Sequence, residues 1–140
     1  MKDYEFKEHT ADIIARAHGH TLEQAFGAAA RAMFDVITGG AMIRPLQEYE
    51  IAVESIDLEG LLVTFLSELN VLHEIENVVL DKFQVTFEGD LKLTALCRGE
   101  TFDPARHGGG AQVKGVSYHL IEVVRGEHGH PCHVQVLFDI

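Results

Sequence analysis

The sequence is poor in several residue types, and each scarcity excludes a class of protein. It has two cysteines, and Cys97 and Cys132 stand too far apart for a CxxC motif or a secreted disulfide framework. We therefore expect two buried free thiols. Basic residues are also few, since 11 Lys and Arg against 22 Asp and Glu give a net charge of −11. Phosphate contacts need a basic surface, so we expect no direct nucleic-acid binding and favour a bound cation or a basic protein partner.

Long apolar runs are missing as well. No stretch approaches the roughly 18 apolar residues that a membrane-spanning helix needs, and residues 1–5 are charged, unlike the start of a signal peptide. The 140 residues suit a single domain over residues 1–140. These observations predict a cytoplasmic protein that does not contact a membrane.

The sequence contains no recognisable catalytic motif. Walker A, GxGxxG, HExxH and GxSxG patterns are all absent. The run His107–Gly110 resembles an oxyanion loop, but no nucleophile elbow accompanies it. The stretch 128–133 holds three histidines and a cysteine, but its spacing matches no standard structural zinc motif. An ordinary enzyme is therefore not favoured.

Two helices and a series of alternating strands can be predicted from the apolar pattern. Residues 21–24 form a capping box, and apolar residues at helical spacing follow it until Gly39 ends the helix. Asp57 is the expected N-cap of a second helix, whose apolar stripe runs from Leu58 to Leu72. Strands occupy most of the remainder, with a hairpin around Gly89. This order predicts an α+β fold, with a mixed or antiparallel sheet of about six strands and both helices packed on one face.

Acidic groups near the two ends of the chain are candidates for a cation site. Asp12 follows His9 at the junction of the first two strands, where an acid also commonly serves as a turn residue. Asp139 and the terminal carboxylate of Ile140 are neighbouring anions at the end of the last strand. Their repulsion must be offset by a cation or by solvent, and Ca²⁺ and Mg²⁺ prefer such oxygen ligands. A solvated, frayed terminus is the competing interpretation.

Two other segments contain polar residues, but their pattern does not indicate one kind of site. In the segment 114–119, Gly115 indicates a bulge or a close backbone approach, and Lys114 is typical of a solvated strand lysine. The segment 98–103, followed by His107, is most simply a strand that runs into a loop. Neither segment predicts a function by itself.

Taken together, these stretches resemble the archease family over essentially the whole chain. No piece is specific alone, but their order and the final Asp-Ile are distinctive together. The family usually has Ala and Thr where this chain has Gly115 and Ser117, and these small changes leave Lys114 and Tyr118 in register. The matching stretches are residues 4–6, 9–13, 19, 21–26, 32–34, 57–59, 61–62, 65–69, 99–100, 107, 113–119 and 138–140.

The resemblance implies a non-enzymatic activator. Such a protein would bind the GTP-dependent RNA ligase that joins tRNA exons, and would promote its guanylylation and multiple turnover. The resemblance also implies a divalent metal ion, with Ca²⁺ as the expected one. Its implied ligands are Asp12, Asp139 and Ile140 through the terminal carboxylate. The implied partner surface includes Glu68, Lys114, His9 and His107.

Two other functions stay open from the sequence. A chaperone would keep a tRNA-modifying enzyme, such as an RNA methyltransferase, in solution. A metal-dependent hydrolase would use Asp12, Glu68 and Asp139 as ligands and a metal-bound water as nucleophile, although no motif for a base or nucleophile supports it. The sequence also leaves open whether the protein forms a weak homo-oligomer.

Overall fold

The computed structural model describes residues 3–9 and 12–140, without the side chains of residues 7–9. It has the predicted α+β class. The strands are β1 (Tyr4–His9), β2 (Asp12–Gly19), β3 (Gln47–Glu54), β4 (Val78–Phe87), β5 (Lys92–Thr101), β6 (Gly115–Val124) and β7 (Cys132–Asp139). The helices are α1 (Leu22–Thr38), α2 (Leu58–Glu76) and α3 (Pro104–His107). Within the described residues, no helix is both long and apolar enough to cross a membrane.

The strands form two antiparallel sheets where the sequence predicts one. The first sheet has the order β1-β2-β7-β6, and the second has the order β3-β5-β4. The strand count is seven, close to the predicted six. Alternation of apolar residues identifies each strand and its buried face, but it does not say which strands pair, so the division into two sheets could not be predicted.

The helix α1 packs against both sheets, and this explains its composition. It contacts β4 of the second sheet together with β2 and β7 of the first. A helix enclosed on both sides must be apolar around most of its circumference. Its alanines let the neighbouring strands approach closely. The fully buried alanines of this helix are Ala25, Ala28, Ala29, Ala30 and Ala32.

The predicted capping box starts α1. The Thr21 hydroxyl accepts a hydrogen bond from the Gln24 amide at 3.2 Å, and the Gln24 side chain accepts one from the Thr21 amide at 3.3 Å. Gly39 ends the helix in the left-handed region, with φ of 69°. The two ends of α1 are therefore set by local sequence.

The cap supports a first prediction. Thr21→Ala should lower the free energy of unfolding by about 1 kcal/mol, because the Gln24 amide loses its acceptor. Chemical denaturation, followed by circular dichroism, measures this change. Thr21→Ser keeps the hydroxyl and is the matched control. Equal stability of the alanine and serine variants would contradict the assigned role of the cap.

The first turn of α2 contains Gly60, and the N-cap side chain leaves little space there for a Cβ atom. The Asp57 carboxylate accepts a hydrogen bond from the Gly60 amide at 2.7 Å. A Cβ atom on Gly60 would lie 2.4 Å from the Ser55 Oγ and 2.8 Å from the Asp57 Oδ1. Such distances are shorter than real Cβ contacts. Glycine has a low helix propensity, but at this position its missing side chain allows the cap to form.

Both cysteines are buried free thiols, as predicted. Burial raises the pKa of the Cys97 thiol to about 12. A thiol with such a pKa holds almost no reactive thiolate at neutral pH. Its side chain therefore acts as a small apolar group in the core.

Candidate functional site

Three strands of the first sheet bring residues from distant parts of the chain into one row. Asp12, at the start of β2, pairs with Asp139 at the end of β7. On its other side, Asp139 pairs with Gly115 at the start of β6. Paired residues on adjacent antiparallel strands project their side chains from the same face, with Cβ atoms about 4.5–5.5 Å apart. The two carboxylates are therefore near neighbours. We call Asp12, Asp139 and Ile140 the carboxylate pole.

The last strand is paired on both sides as far as Asp139, so fraying of the terminus does not extend to this residue. Asp139 pairs with β2 and with β6, and its carbonyl oxygen accepts a hydrogen bond from the Lys114 amide at 2.7 Å. Phe138, just before it, is fully buried. Ile140 is half-buried and follows directly. The aspartate side chain itself is exposed.

Gly115 leaves space next to the Asp139 carboxylate. A Cβ atom at position 115 would lie 3.5 Å from the Asp139 Oδ2, which is an ordinary van der Waals contact. A larger side chain would extend beyond that Cβ toward the carboxylate and compete with it for space. The requirement at this position is therefore for a small residue rather than strictly for glycine.

This geometry gives a second prediction. Gly115→Ala should change the free energy of unfolding by less than about 1 kcal/mol, because its methyl group fits. Gly115→Ile should be less stable than Gly115→Ala, because its longer side chain extends toward the Asp139 carboxylate. Urea denaturation of both variants tests this. Equal stability of the isoleucine and alanine variants would show that the space beside Asp139 is not needed.

The chemistry of the pole suits a hard cation, although it does not form a side-chain cluster of the usual kind. Among the described residues, no group of three or more His, Cys, Asp or Glu side chains is arranged to hold a metal ion. Asp12 and Asp139 supply two carboxylates from paired positions. The third ligand that the resemblance implies would be the terminal carboxylate of Ile140. Such an all-oxygen donor set is what Ca²⁺ and Mg²⁺ prefer, so the residues present fit the implied ion.

The helix α2 supports the pole through Asn70, which the sequence did not single out. The Asn70 Nδ2 donates a hydrogen bond to the Val113 carbonyl oxygen at 2.9 Å. The next amide, that of Lys114, donates to the Asp139 carbonyl oxygen. The peptide between residues 113 and 114 is therefore fixed from α2 on one side and from β7 on the other. A lone Asn on a helix carries no signal that could have predicted this contact.

The residues that the resemblance implies for a partner surface lie on different elements of the fold. Lys114 is exposed and directly precedes β6. Glu68 is exposed on α2, two residues before Asn70. His9 pairs with Asp12 through its backbone, and its side chain lies outside the description.

The implied placement of His107 on the partner surface is wrong, because its side chain is completely buried. The Asp103 amide donates a hydrogen bond to the His107 Nδ1 at 2.9 Å. The His107 Nε2 therefore carries the proton and donates to the Glu100 carboxylate at 3.2 Å. His107 thus orients a buried carboxylate instead of contacting a partner.

Glu100 is the centre of a second charged cluster, away from the pole. It is 4% exposed, and its carboxylate accepts hydrogen bonds from Arg106 at 2.7 and 3.0 Å. It also accepts bonds from the Arg44 amide at 2.7 Å and from the Arg44 guanidinium at 3.0 and 3.1 Å. The Arg106 guanidinium, with smaller contributions from Arg44 and His107, holds the pKa of Glu100 well below its ordinary value, against the opposing effect of burial. The same pairing raises the pKa of Arg106.

The Glu100 cluster is a structural clamp. Glu100 lies near the end of β5, Arg44 lies in the segment before β3, and Arg106 with His107 belongs to α3. One carboxylate therefore ties the segment before β3 and the short helix α3 to the second sheet. The predicted end of a strand in this region is confirmed, since β5 ends at Thr101, but neither α3 nor the clamp that its side chains make was predicted.

The fold and the pole define a small α+β protein with paired carboxylates at one end of a sheet and no catalytic motif in its sequence. The profile of the Archease protein family (MTH1598/TM1083) matches residues 4–140. The protein archease of Pyrococcus furiosus is 44% identical over 128 residues, which cover 89% of this chain and 90% of that one. The protein archease of Methanosarcina mazei is 41% identical over 143 residues, covering 99% and 97%. The chain therefore belongs to the archease family.

Two solved structures share the fold. The solution structure of Methanobacterium thermoautotrophicum protein 1598 has a TM-score of 0.82 and 32% identity, and the match covers 100% of both chains. The crystal structure of an archease from Thermotoga maritima, described as a possible chaperone, has a TM-score of 0.62 and 21% identity, with coverage of 96% and 94%. At that identity the second structure supports the fold alone.

Proposed function

We propose that this protein is an accessory factor that activates a GTP-dependent tRNA-splicing RNA ligase through the carboxylate pole. The observation that carries the proposal is the pairing of Asp12 with Asp139 beside the chain terminus. Residues separated along the whole chain are brought together there, and the fold holds them from three strands. The repulsion between such neighbouring anions can be offset by solvent, by a cation or by a complementary partner, and a cation or partner would make this place a binding site.

A divalent ion, with Ca²⁺ as the expected one, would be held by the carboxylates of Asp12 and Asp139 and by the terminal carboxylate of Ile140. When bound, the ion would supply positive charge that compensates for the anions. The chain itself contributes the position of these groups, through the Lys114 amide on Asp139 and through Asn70 on the adjoining peptide.

The charge of the chain suits a basic, metal-rich partner. The net charge of −11 favours encounter with a positively charged surface and disfavours a nucleic-acid backbone. A nucleotide-using ligase must itself hold phosphates with basic groups and must bind the metal ions that accompany them. The pole would therefore dock at the ligase active site, with Lys114 and Glu68 exposed as further contacts.

Turnover of the cognate ligase tests this function. RNA ligation is followed with the ligase limiting and substrate in excess, with and without this protein. We expect multiple turnover and increased guanylylation of the ligase only when the protein is present. The protein alone, with RNA or a phosphate ester, is assayed in parallel, because intrinsic hydrolysis would favour a metal-dependent hydrolase instead.

A chaperone role is the second candidate, supported by the description of the Thermotoga maritima archease as a possible chaperone. The substrate would be a tRNA-modifying enzyme such as an RNA methyltransferase. Light scattering of that enzyme during heating, with and without this protein, tests the role. Suppressed aggregation without any effect on ligase turnover would favour the chaperone over the activator.

A further inference from the structure

Asn70 lies in the interior of α2, where this residue is unfavourable in two ways. Asparagine has a low helix propensity, because its side chain competes for backbone hydrogen bonds. The Asn70 Oδ1 is also buried, and among the described residues no hydrogen-bond donor reaches it. A buried acceptor without a partner costs free energy. An apolar side chain of the same shape would avoid both costs, so the stability of α2 does not explain this residue.

The contact made by the Asn70 Nδ2 does explain it. This atom donates to the Val113 carbonyl oxygen at 2.9 Å, and the N–H of the same peptide group belongs to Lys114 and donates to the Asp139 carbonyl oxygen. A hydrogen bond to a carbonyl oxygen polarises its peptide group and strengthens the bond that the N–H of that group makes. Asn70 therefore holds this peptide in place and also strengthens its hydrogen bond to Asp139.

The peptide that Asn70 holds has limited support from the sheet. Within the described ranges, β6 pairs with β7 alone and is an edge strand. Its first stretch of regular pairing runs only from Gly115 to Ser117, after which a bulge around Leu120 shifts the register. Residues 111–114, just before the strand, lie outside the helices and strands. A side-chain hydrogen bond from α2 therefore restrains the peptide more here than it would in the middle of a sheet.

Asp139, which receives the bond from this peptide, is central to the carboxylate pole. It carries one of the two paired carboxylates, and its partner across β2 is Asp12, which carries the other. It is also joined covalently to Ile140, whose terminal carboxylate is the third implied ligand. Groups that orient metal ligands raise the affinity for the ion although they do not touch it. A change in the position of the Asp139 backbone would therefore reach all three implied ligands.

We propose that Asn70 is a positioning residue that raises the affinity of the carboxylate pole for its divalent ion, and that it does so without stabilising the fold. This inference rests on the proposed function for the ion and for the role of the pole. Asn70 acts through the peptide between Val113 and Lys114 and is not itself a ligand. The polar side chain is unfavourable for the helix, and its benefit lies at the pole.

Asn70→Leu tests the inference, because leucine keeps the branched shape of the side chain and lacks its polar atoms. Titration calorimetry measures Ca²⁺ affinity, and NMR measures hydrogen exchange of the Lys114 amide. We expect Ca²⁺ affinity to fall about tenfold, at the low end of the range for groups that orient metal ligands. Protection of the Lys114 amide should fall with it, because this amide loses the restraint on its peptide.

The stability of the same variant separates positioning from a structural role. Loss of the bond to Val113 is offset by removal of the unpaired Asn70 Oδ1 and by the higher helix propensity of leucine. The midpoint of urea denaturation should therefore shift by less than about 0.5 M. A residue with a merely structural role would instead lower the midpoint and leave Ca²⁺ affinity unchanged.

Two further variants complete the experiment. Thr64→Val is the matched control, since Thr64 is partly buried on the same helix and the change also replaces a polar group with an apolar one. It should match the wild type in Ca²⁺ affinity and in exchange of the Lys114 amide. Asn70→Ala removes the donor without placing a methyl group against the Val113 oxygen, and it should lose Ca²⁺ affinity as Asn70→Leu does.

The other outcomes decide against the inference or against the proposed function. Unchanged Ca²⁺ affinity in both Asn70 variants overturns the inference, and so does an equal loss in Thr64→Val or unchanged exchange of the Lys114 amide. Ligase turnover is measured with the same proteins. If the wild type binds Ca²⁺ without stimulating the ligase, the proposed function fails and the Ca²⁺ affinities still decide the inference. If it stimulates the ligase without binding Ca²⁺, the inference is overturned and the activation stands. If it does neither, both are overturned.

Discussion

Asp139→Asn is expected to abolish stimulation of the ligase and to remove any stabilisation of the protein by Ca²⁺. The substitution keeps the shape of the side chain and deletes its charge. The fold should persist, because the Asp139 side chain is exposed and its backbone oxygen still accepts the Lys114 amide. Thermal unfolding with and without Ca²⁺, and ligase turnover at saturating protein, measure the two effects.

The size of the Ca²⁺ effect follows from mass action. At a Ca²⁺ concentration 100 times the dissociation constant, binding adds about 2.7 kcal/mol to the free energy of unfolding of the wild type. The Asp139→Asn variant should gain almost none of it. Asp90→Asn is the matched control, since Asp90 is an exposed aspartate in the turn between β4 and β5. Equal Ca²⁺ stabilisation of wild type and Asp139→Asn would remove the proposed ion from this site.

Asp12→Asn should likewise abolish stimulation of the ligase and remove stabilisation by Ca²⁺, because Asp12 and Asp139 are direct partners across two strands and would act on one shared ion. Ligase stimulation or Ca²⁺ stabilisation retained in Asp12→Asn would show that Asp139 acts without Asp12, and would contradict a single pole.

Glu100→Gln is expected to lower the free energy of unfolding by about 3 kcal/mol, at the lower end of the range for breaking a buried ion pair. The lower end applies because Arg44 and Arg106 are partly exposed and regain water, whereas His107 stays buried with a disrupted partner. Denaturation by urea at pH 7 measures the loss. Glu48→Gln is the matched control, because Glu48 forms an exposed ion pair with Arg98 and should contribute less than about 1 kcal/mol.

The contribution of Glu100 should also depend on pH. The arginines lower the pKa of Glu100 in the folded state, while the unfolded chain keeps the ordinary value of about 4.3. The stabilisation is therefore fully present above about pH 4.3 and is lost as the pH falls toward the lowered pKa of the folded state. The difference in stability between wild type and Glu100→Gln should shrink between pH 5 and pH 3. A constant difference over that range would contradict the charged clamp.

Local pattern was sufficient to predict the two long helices and most strands of this protein, but not the short helix α3. The capping box at Thr21, the stop at Gly39 and the N-cap at Asp57 all act through groups within a few residues, and the structure confirms each of them. The alternation of apolar residues likewise indicated the strands. By contrast, the hydrogen bond from Asn70 to Val113 joins residues 43 positions apart, and no local pattern encodes such a contact.

The sequence by itself determined the class of fold, the reduced cysteines, the acidic charge and the candidate residues at the ends of the chain, because these follow from composition and from short-range chemistry. Only the tertiary structure decided that Asp12 and Asp139 are paired neighbours, that His107 is buried against Glu100 and that β6 bulges at Leu120. Pairing between distant strands depends on how two sheets enclose α1. That arrangement is a property of the whole packed core, so it cannot be inferred from any segment alone.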